Sequence, residues 1–242
     1  MVVFKKNRIH VLDERTIPLE EALLSVPKGS YVIFSAHGHP LNWEKIAMEN
    51  HLFFLDCTCP FVEANTLAGA KLEGPFFYFG VRGHLEAEAF LANNPNAIFV
   101  DVSNPSLAPD IPLGVSAFPI ICQTTLSQAE IDGAVDFLSA NGISTRLVQS
   151  QCKSTYLRQK AIFDLPESIT TLVVLGSPTS NNSIKLYEIG FQKNLRSLLL
   201  RNKDELIKIH FDKKEKIALT SGASTPPTIL KECYDYLLSI GN

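Results

Sequence analysis

The sequence has no long hydrophobic run and no marked excess of charge of either sign. Of its 242 residues, 45% are hydrophobic and 19% are charged, and the formal net charge is -3. No stretch approaches the ~18 apolar residues that a membrane span requires, and no apolar signal core follows the basic patch Lys5–Arg8. We therefore expect a soluble cytoplasmic protein with no nucleic-acid partner and no membrane partner.

The sequence also lacks the cysteine patterns of small secreted domains and of common zinc sites. Its five cysteines are an odd number at wide spacing, which argues against a disulfide scaffold. No Cys-x-x-Cys pair occurs, so neither a zinc ribbon nor a thioredoxin-like site is indicated. The composition favours reduced thiols, some of them available to bind a metal.

The stretch Leu52–Pro60 combines a predicted buried strand with two thiols. Four apolar residues lead to Asp56, and Cys57 and Cys59 follow two residues apart. A central strand does not continue through Pro60, which has no amide hydrogen to donate. Ligands of parallel α/β sheets collect where strands end and helices begin. The two thiols therefore indicate either a ligand site or one buried structural cysteine beside an incidental one.

Short apolar runs alternate with amphipathic stretches along the whole chain, which indicates a parallel α/β architecture. The predicted strands are 31–34, 52–55, 76–79, 97–102, 117–122, 145–148, 171–176, 197–200 and 216–220. Polar residues follow most of these strands, and Ser127 with Glu130 predicts a helix capping box. Helices that begin in such loops offer amide groups to a phosphate or diphosphate, although each loop taken alone is more often a simple helix cap.

Seven short motifs in these loops occur in a fixed order. They are Ser35–Gly38, Asp56–Pro60, Gly83–Glu86, Gln123–Ser127, Cys152 with Arg158–Gln159, Ser180–Ser183 and Ser221–Pro226. Together they resemble the 4-hydroxy-3-methylbut-2-enyl diphosphate reductases, the LytB/IspH family, from about residue 30 onward. The resemblance implies a cloverleaf of three small α/β domains around a central cavity. We expect the domains at 1–58, 59–149 and 150–242, with the first one reduced.

The same resemblance implies an oxidoreductase of the non-mevalonate isoprenoid pathway. Its reaction removes the allylic hydroxyl group of an allylic diphosphate and gives isopentenyl and dimethylallyl diphosphates. Two electrons and two protons are consumed. The family carries out this reaction at an iron–sulfur cluster, 4Fe-4S or 3Fe-4S, and the implied partner is an electron donor such as ferredoxin or flavodoxin.

The resemblance also implies roles for individual residues. Glu86 matches the carboxylate that delivers protons, and Thr124 matches the hydroxyl beside the hydroxyl group of the substrate. Cys59 and Cys152 match the second and third cluster cysteines. The positions matched to diphosphate binding are His37, His84, Ser180, Asn182 and Ser224. Each residue also has a structural interpretation, such as a loop-capping histidine or a helix-start glutamate that favours the helix dipole.

The N-terminal part departs from the family pattern. The family has its first cluster cysteine before a His-Asn motif, whereas no cysteine precedes Cys57 in this sequence. Residues 3–10 resemble the strand that leads to this motif. His10 takes the place of the motif's histidine in one alignment, in which it binds substrate, and Lys6 takes it in another. Cys57 and Cys122 each lie two residues before a predicted site residue, and both are candidates for the third cluster ligand. The alternative for both is packing as small core residues.

Three functions stay open on this basis. A reductase with a rearranged cluster site is favoured by the presence of Glu86 and Thr124. A cluster-free or cluster-poor relative that binds a diphosphate or another phosphorylated metabolite is favoured by the missing cysteine. The third is an iron–sulfur protein with a regulatory or electron-transfer role. The absorbance spectrum of anaerobically purified protein distinguishes these functions.

Overall fold

The computed structural model describes residues 9–12, 19–106, 117–149 and 152–241. The strands are β1 (Tyr31–Phe34), β2 (Phe53–Asp56), β3 (Phe76–Gly80), β4 (Ala97–Asp101), β5 (Phe118–Cys122), β6 (Thr145–Gln149), β7 (Thr171–Leu175), β8 (Arg196–Leu200) and β9 (Ile217–Ser221). The helices are α1 (Leu19–Leu24), α2 (Asn42–Glu49), α3 (Pro60–Ala70), α4 (Leu85–Asn93), α5 (Gln128–Ala140), α6 (Lys153–Phe163), α7 (Asn181–Gln192), α8 (Lys203–Leu206) and α9 (Pro227–Ile240). None of the helices in these ranges has the length and apolar character needed to cross a bilayer.

The strands form three separate sheets, and every strand pairing is parallel. The first sheet has the order β1-β2, the second β4-β3-β5-β6 and the third β8-β7-β9. We call the part of the chain around each sheet the first, second and third lobe. The predicted α/β class and its division into three small units are confirmed. The exact domain boundaries stay a prediction.

The second and third lobes are each organised around a strand that is buried along its whole length. All residues of β3 and of β7 are buried, and both strands lie in the middle of their sheets. Continuous apolar runs are typical of parallel strands that are covered on both faces. Two apolar clusters cover the second sheet and two cover the third.

The first lobe buries its sheet on one side. Its core consists of four buried residues, namely Leu23, Phe34, Ala47 and Leu52. Four apolar side chains of the same sheet are each more than half exposed, namely Tyr31, Ile33, Phe53 and Leu55. This lobe therefore has the smallest core among the described residues.

The N-terminal strand expected at residues 3–10 falls largely outside the described residues, and so does Lys6. His10 lies within the described residues, where it is exposed and outside any helix or strand. The expected strand therefore does not extend over residues 9–10. The predicted capping box of α5 is present, because Ser127 and Glu130 bond reciprocally through side chain and backbone.

Candidate active site

A buried carboxylate at the start of α4 is held by the loop after β5. Glu86 is only 2% exposed. The Thr124 amide donates to its Oε1 at 2.7 Å, and the Thr124 hydroxyl donates to its Oε2 at 2.8 Å. Burial raises the pKa of Glu86 to about 7, although the two Thr124 hydrogen bonds act to lower it. A carboxyl group with such a pKa exchanges a proton near neutral pH and can serve as a general acid.

The local sequence explains why Glu86 points at Thr124. Strand β3 ends in a turn in which Gly83 has a φ of +74°, a conformation that favours glycine. His84 then caps α4, with its Nδ1 accepting from the Glu86 amide at 3.2 Å. The Gln123 side chain accepts from the Val81 amide at 3.0 Å and joins the ends of the neighbouring strands β3 and β5. The carboxylate and the threonine therefore meet at one sheet edge.

Two histidines bring the first and second lobes together. The rings of His37, after β1, and His84, before α4, meet edge to face with centroids 5.7 Å apart. Ser35 Oγ lies 3.2 Å from His37 Nδ1. Burial, and then the positive charge of a protonated His37, lower the pKa of His84 to about 4. At neutral pH His84 therefore uses Nδ1 as an acceptor and keeps a proton on Nε2 as a donor.

The loop that carries His37 is fixed by contacts that the sequence did not reveal. Gly38 has a φ of +83°, and a Cβ there would lie 3.3 Å from a methyl group of Val62. Asn93, at the end of α4, accepts from the Leu41 amide and donates to the His39 carbonyl, both at 2.9 Å. The second lobe thus holds the first through one amide side chain.

The third lobe presents buried polar groups that have no hydrogen-bond partner among the described residues. Asn182 is 6% exposed, and neither its amide nitrogen nor its amide oxygen is bonded. Ser183 is fully buried and its hydroxyl is also unpaired. Ser180 is the N-cap of α7 but makes no side-chain capping bond. Unpaired buried groups are rare and costly, so a polar ligand that satisfies them is expected here.

Ser183 belongs to the motif Ser180–Ser183, but no role at the site was predicted for it. A Cβ at Gly176 or at Gly222 would collide with its hydroxyl, so this side chain fits between the ends of β7 and β9. The sequence signal that could have indicated this packing is the glycine directly after each of these two strands, Gly176 and Gly222. Ser224, which the sequence did single out, lies two residues beyond Gly222 and is exposed.

Direct hydrogen bonds connect the second and third lobes at the same place. The Asn181 side chain donates to the Thr125 hydroxyl at 2.9 Å, and the Gln123 side chain donates to the same oxygen at 2.8 Å. The Cys152 amide donates to the Thr124 carbonyl at 3.0 Å. The start of α7, with its unpaired Asn182 next in sequence, therefore lies beside the loop that holds Glu86.

Cys59 and Cys152 occupy equivalent positions in two lobes. Each is the N-cap of a helix, α3 or α6, with φ -61° and ψ 132°, and neither makes a side-chain capping bond. The Cys59 amide donates to the Ala36 carbonyl at 3.1 Å, next to His37. Iron–sulfur clusters are held by cysteine thiolates. Both residues suit an iron–sulfur cluster in donor type and backbone placement.

The other cysteines differ in their access to ligands. Cys57 is exposed. Cys122 is fully buried in the core of the second lobe, and burial raises the pKa of its thiol to about 12. This argues against Cys122 as a cluster ligand and supports the alternative interpretation, that it packs as a small core residue at the end of β5. Cys233 lies in the core of the third lobe.

The sequence is similar to one protein family over nearly its whole length. The sequence model of the LytB protein family matches residues 1–238. The 4-hydroxy-3-methylbut-2-enyl diphosphate reductase of Polaromonas sp. is 32% identical over 229 residues, which cover 91% of this chain and 68% of that protein. The reductase of the same name from Geobacillus thermodenitrificans is 30% identical over 221 residues, which cover 90% and 69%.

A solved structure shows the same arrangement of lobes. The E-1-hydroxy-2-methyl-but-2-enyl-4-diphosphate reductase from Plasmodium falciparum aligns with a TM-score of 0.76 at 27% identity. The alignment covers 98% of this chain and 74% of the Plasmodium chain. With the family match over residues 1–238 and the relatives above, these findings show that the chain belongs to the LytB protein family.

Proposed function

We propose that this protein is a 4-hydroxy-3-methylbut-2-enyl diphosphate reductase, as its relatives are named. The observation that carries the proposal is the buried Glu86 carboxylate held by both polar groups of Thr124. Binding a diphosphate requires no buried acid with a pKa near 7. Reductive removal of a hydroxyl group does require one, because the oxygen must leave as water.

The reaction consumes two electrons and two protons. The carbon–oxygen bond breaks, one proton joins the departing oxygen to give water, and the second adds to a carbon of the allyl group. Glu86 stores a proton near neutral pH, and the Thr124 hydroxyl lies 2.8 Å from its Oε2. We assign proton delivery to this pair, with Thr124 orienting the hydroxyl of the substrate.

The diphosphate group would bind where the three lobes contribute hydrogen-bond donors. His84 offers Nε2–H, Asn182 offers an amide without a partner among the described residues, and Ser180 offers a hydroxyl that makes no capping bond. Ser224 and His37 are exposed loop residues, and the His37 ring contacts that of His84. Hydrogen bonds to phosphate oxygens are charge-assisted and stronger than neutral ones, so they offset the cost of burying Asn182.

Cys59 and Cys152 are the residues that we assign to an iron–sulfur cluster, with the exposed Cys57 as the candidate for a third ligand. Such a cluster supplies the electrons and a Lewis-acidic iron for the leaving hydroxyl group. We expect a one-electron carrier such as ferredoxin or flavodoxin to reduce the protein.

The test compares the anaerobically reconstituted wild type with Glu86→Gln, using a chemical reductant and the allylic diphosphate. Gln keeps the shape and can still accept from the Thr124 amide, but it holds no transferable proton. Turnover should fall by roughly 10²- to 10⁴-fold, the usual contribution of a general acid. Glu49→Gln, at an exposed carboxylate of α2, is the control and should keep full turnover. Unchanged turnover in Glu86→Gln would disprove the proposed acid.

The position of the cysteines also supports a second candidate, a cluster-poor relative that binds the diphosphate without reducing it. Within the described residues, two cysteines cap helices at the site, and Cys122 is unavailable. Iron counting on wild type and on Cys57→Ser, Cys59→Ser and Cys152→Ser separates the two functions. Stoichiometric iron that falls in Cys59→Ser and Cys152→Ser supports the reductase. Iron absent from the wild type, with retained binding of pyrophosphate, supports the alternative.

A further inference from the structure

A buried imidazole in the first lobe lies between two carboxylates. His39 is 4% exposed, and its ring stacks on Phe34 with centroids 4.0 Å apart. Nε2 lies 3.2 Å from Glu44 Oε1. Nδ1 is buried and makes no hydrogen bond within the described residues, and it lies 3.9 Å from Asp56 Oδ1. His39 took no part in the active-site assignment above.

The hydrogen bond to Glu44 fixes where the neutral ring carries its proton. An ionised carboxylate only accepts hydrogen bonds, so the proton lies on Nε2 and the lone pair on Nδ1. That lone pair then faces Asp56. The Asp56 carboxylate accepts hydrogen bonds from the Thr58 amide at 2.8 Å and from the Thr58 hydroxyl at 2.6 Å. Nδ1 therefore faces a carboxylate anion at a distance too long for a hydrogen bond.

The separation of these atoms suits a metal ion. Zinc binds histidine nitrogen at about 2.0–2.1 Å and carboxylate oxygen at about 2.0–2.2 Å, so one ion can contact two donors that are slightly less than 4 Å apart. His39, Glu44 and Asp56 each offer an atom within 4.8 Å of the others. The Asp56 side chain is 42% exposed, so water can complete the coordination.

We propose that His39 Nδ1 and the Asp56 carboxylate bind a divalent metal ion of the zinc class. Glu44 accepts from Nε2 and orients the imidazole, as carboxylates beside metal-bound histidines commonly do. The ion joins the loop after β1 to the end of β2, in the lobe with the smallest core. Metals often stabilise such small units. The proposal does not depend on the reductase activity.

The experiment measures zinc and cobalt binding to the purified chain by equilibrium dialysis and metal analysis. Accessible thiols are first alkylated with iodoacetamide, because cysteines also bind these metals. The wild type should bind one equivalent, and the cobalt spectrum should lack thiolate charge-transfer bands. Asp56→Asn keeps an oxygen for the Thr58 bonds but loses the charge, and it should bind at least 10-fold more weakly. Glu44→Gln should bind 10- to 100-fold more weakly.

Two further variants make the result decisive. His39→Leu should abolish metal binding. Circular dichroism shows whether this variant is folded, and if it is not, the result for Asp56→Asn decides. His210→Leu changes an exposed histidine that lies 3.7 Å from Asp212, and it should bind like the wild type. Equal binding by the wild type and Asp56→Asn would overturn the proposal. So would the absence of binding by the wild type at millimolar zinc, which would indicate that a proton on Nδ1 pairs the ring with Asp56.

Discussion

The Glu86 carboxylate of the second lobe and the Asn182 and Ser183 side chains of the third differ in how far they are satisfied. Both oxygens of Glu86 are bonded to Thr124. Asn182 and Ser183 are buried with atoms that have no hydrogen-bond partner in the part of the chain that the structure describes. The comparison indicates that the acid is positioned before any ligand binds, whereas the third-lobe donors depend on a ligand for their partners.

This difference has a physical basis in the cost of burial. A buried group that is fully bonded rigidifies its surroundings, whereas an unpaired one costs about 1–3 kcal/mol of stability. The second lobe gives up stability by ionising Glu86 in a buried site, and the third by leaving Asn182 without a partner. Each cost should be measurable in the protein without substrate.

The largest expected effect is the pH dependence that Glu86 imposes on stability. Its folded pKa of about 7 lies above the ordinary value of 4.5, so between these values the folded state holds a proton that the unfolded state has lost. Stability from this group is therefore present at low pH and is lost as pH rises to about 7, by roughly 3 kcal/mol. Glu86→Gln removes this loss.

Denaturant titrations of the wild type and Glu86→Gln from pH 4.5 to pH 8 test this expectation. The lowered pKa of His84, about 4, gives the opposite slope below pH 6.5, because there the unfolded state binds the extra proton. That slope is common to both proteins, so the difference between them isolates Glu86. A difference that stays constant with pH would show that Glu86 is an ordinary ionised carboxylate.

The next largest effect is a difference in stability between variants of two buried asparagines, each on a helix. Asn65, on α3, is 4% exposed and donates to the Cys122 carbonyl at 2.7 Å. Asn182, on α7, is 6% exposed and has no hydrogen-bond partner in the described part of the chain. Asn65→Leu should destabilise the protein by about 1–3 kcal/mol, whereas Asn182→Leu should leave stability unchanged or increase it by up to about 2 kcal/mol.

Thermal unfolding with and without pyrophosphate completes this comparison. Pyrophosphate should stabilise the wild type and Asn65→Leu, because a ligand that binds only the folded state raises its stability. Asn182→Leu should lose most of this stabilisation. If Asn182→Leu were as destabilised as Asn65→Leu, the asparagine would have a partner, and the contrast between the lobes would disappear.

The sequence predicted the sheets well and their side-chain geometry less well. Strand-helix alternation located β3 and β7, because their burial on both faces makes them continuously apolar. The two-residue spacing between Cys122 and Thr124 made Cys122 a candidate ligand, but this inference assumes that one extended strand includes both residues. Strand β5 ends at Cys122. The family resemblance implied separate roles for Glu86 and Thr124, but the hydrogen bonds between them were not predicted.

Contacts between distant parts of the chain were not predictable from local patterns. Asn93 reaches the loop of His39 across 54 residues of sequence, and Asn181 reaches Thr125 across 56. Each is an asparagine near a helix end, which is usually read as a cap. Only the packing of one lobe on another distinguishes such a residue from a cap.

The smallest expected effect tests how the two regions are joined. The Thr125 hydroxyl accepts from Gln123 of the second lobe and from Asn181 of the third. Thr125→Val keeps the shape but removes the acceptor, so it should lower the free energy of unfolding by about 1 kcal/mol. Thr125→Ser keeps the hydroxyl and should recover most of that loss. Because Asn182 follows Asn181, Thr125→Val should also weaken the stabilisation by pyrophosphate. If Thr125→Val changed neither the free energy of unfolding nor the response to pyrophosphate, the acid and the third-lobe donors would be positioned independently of each other.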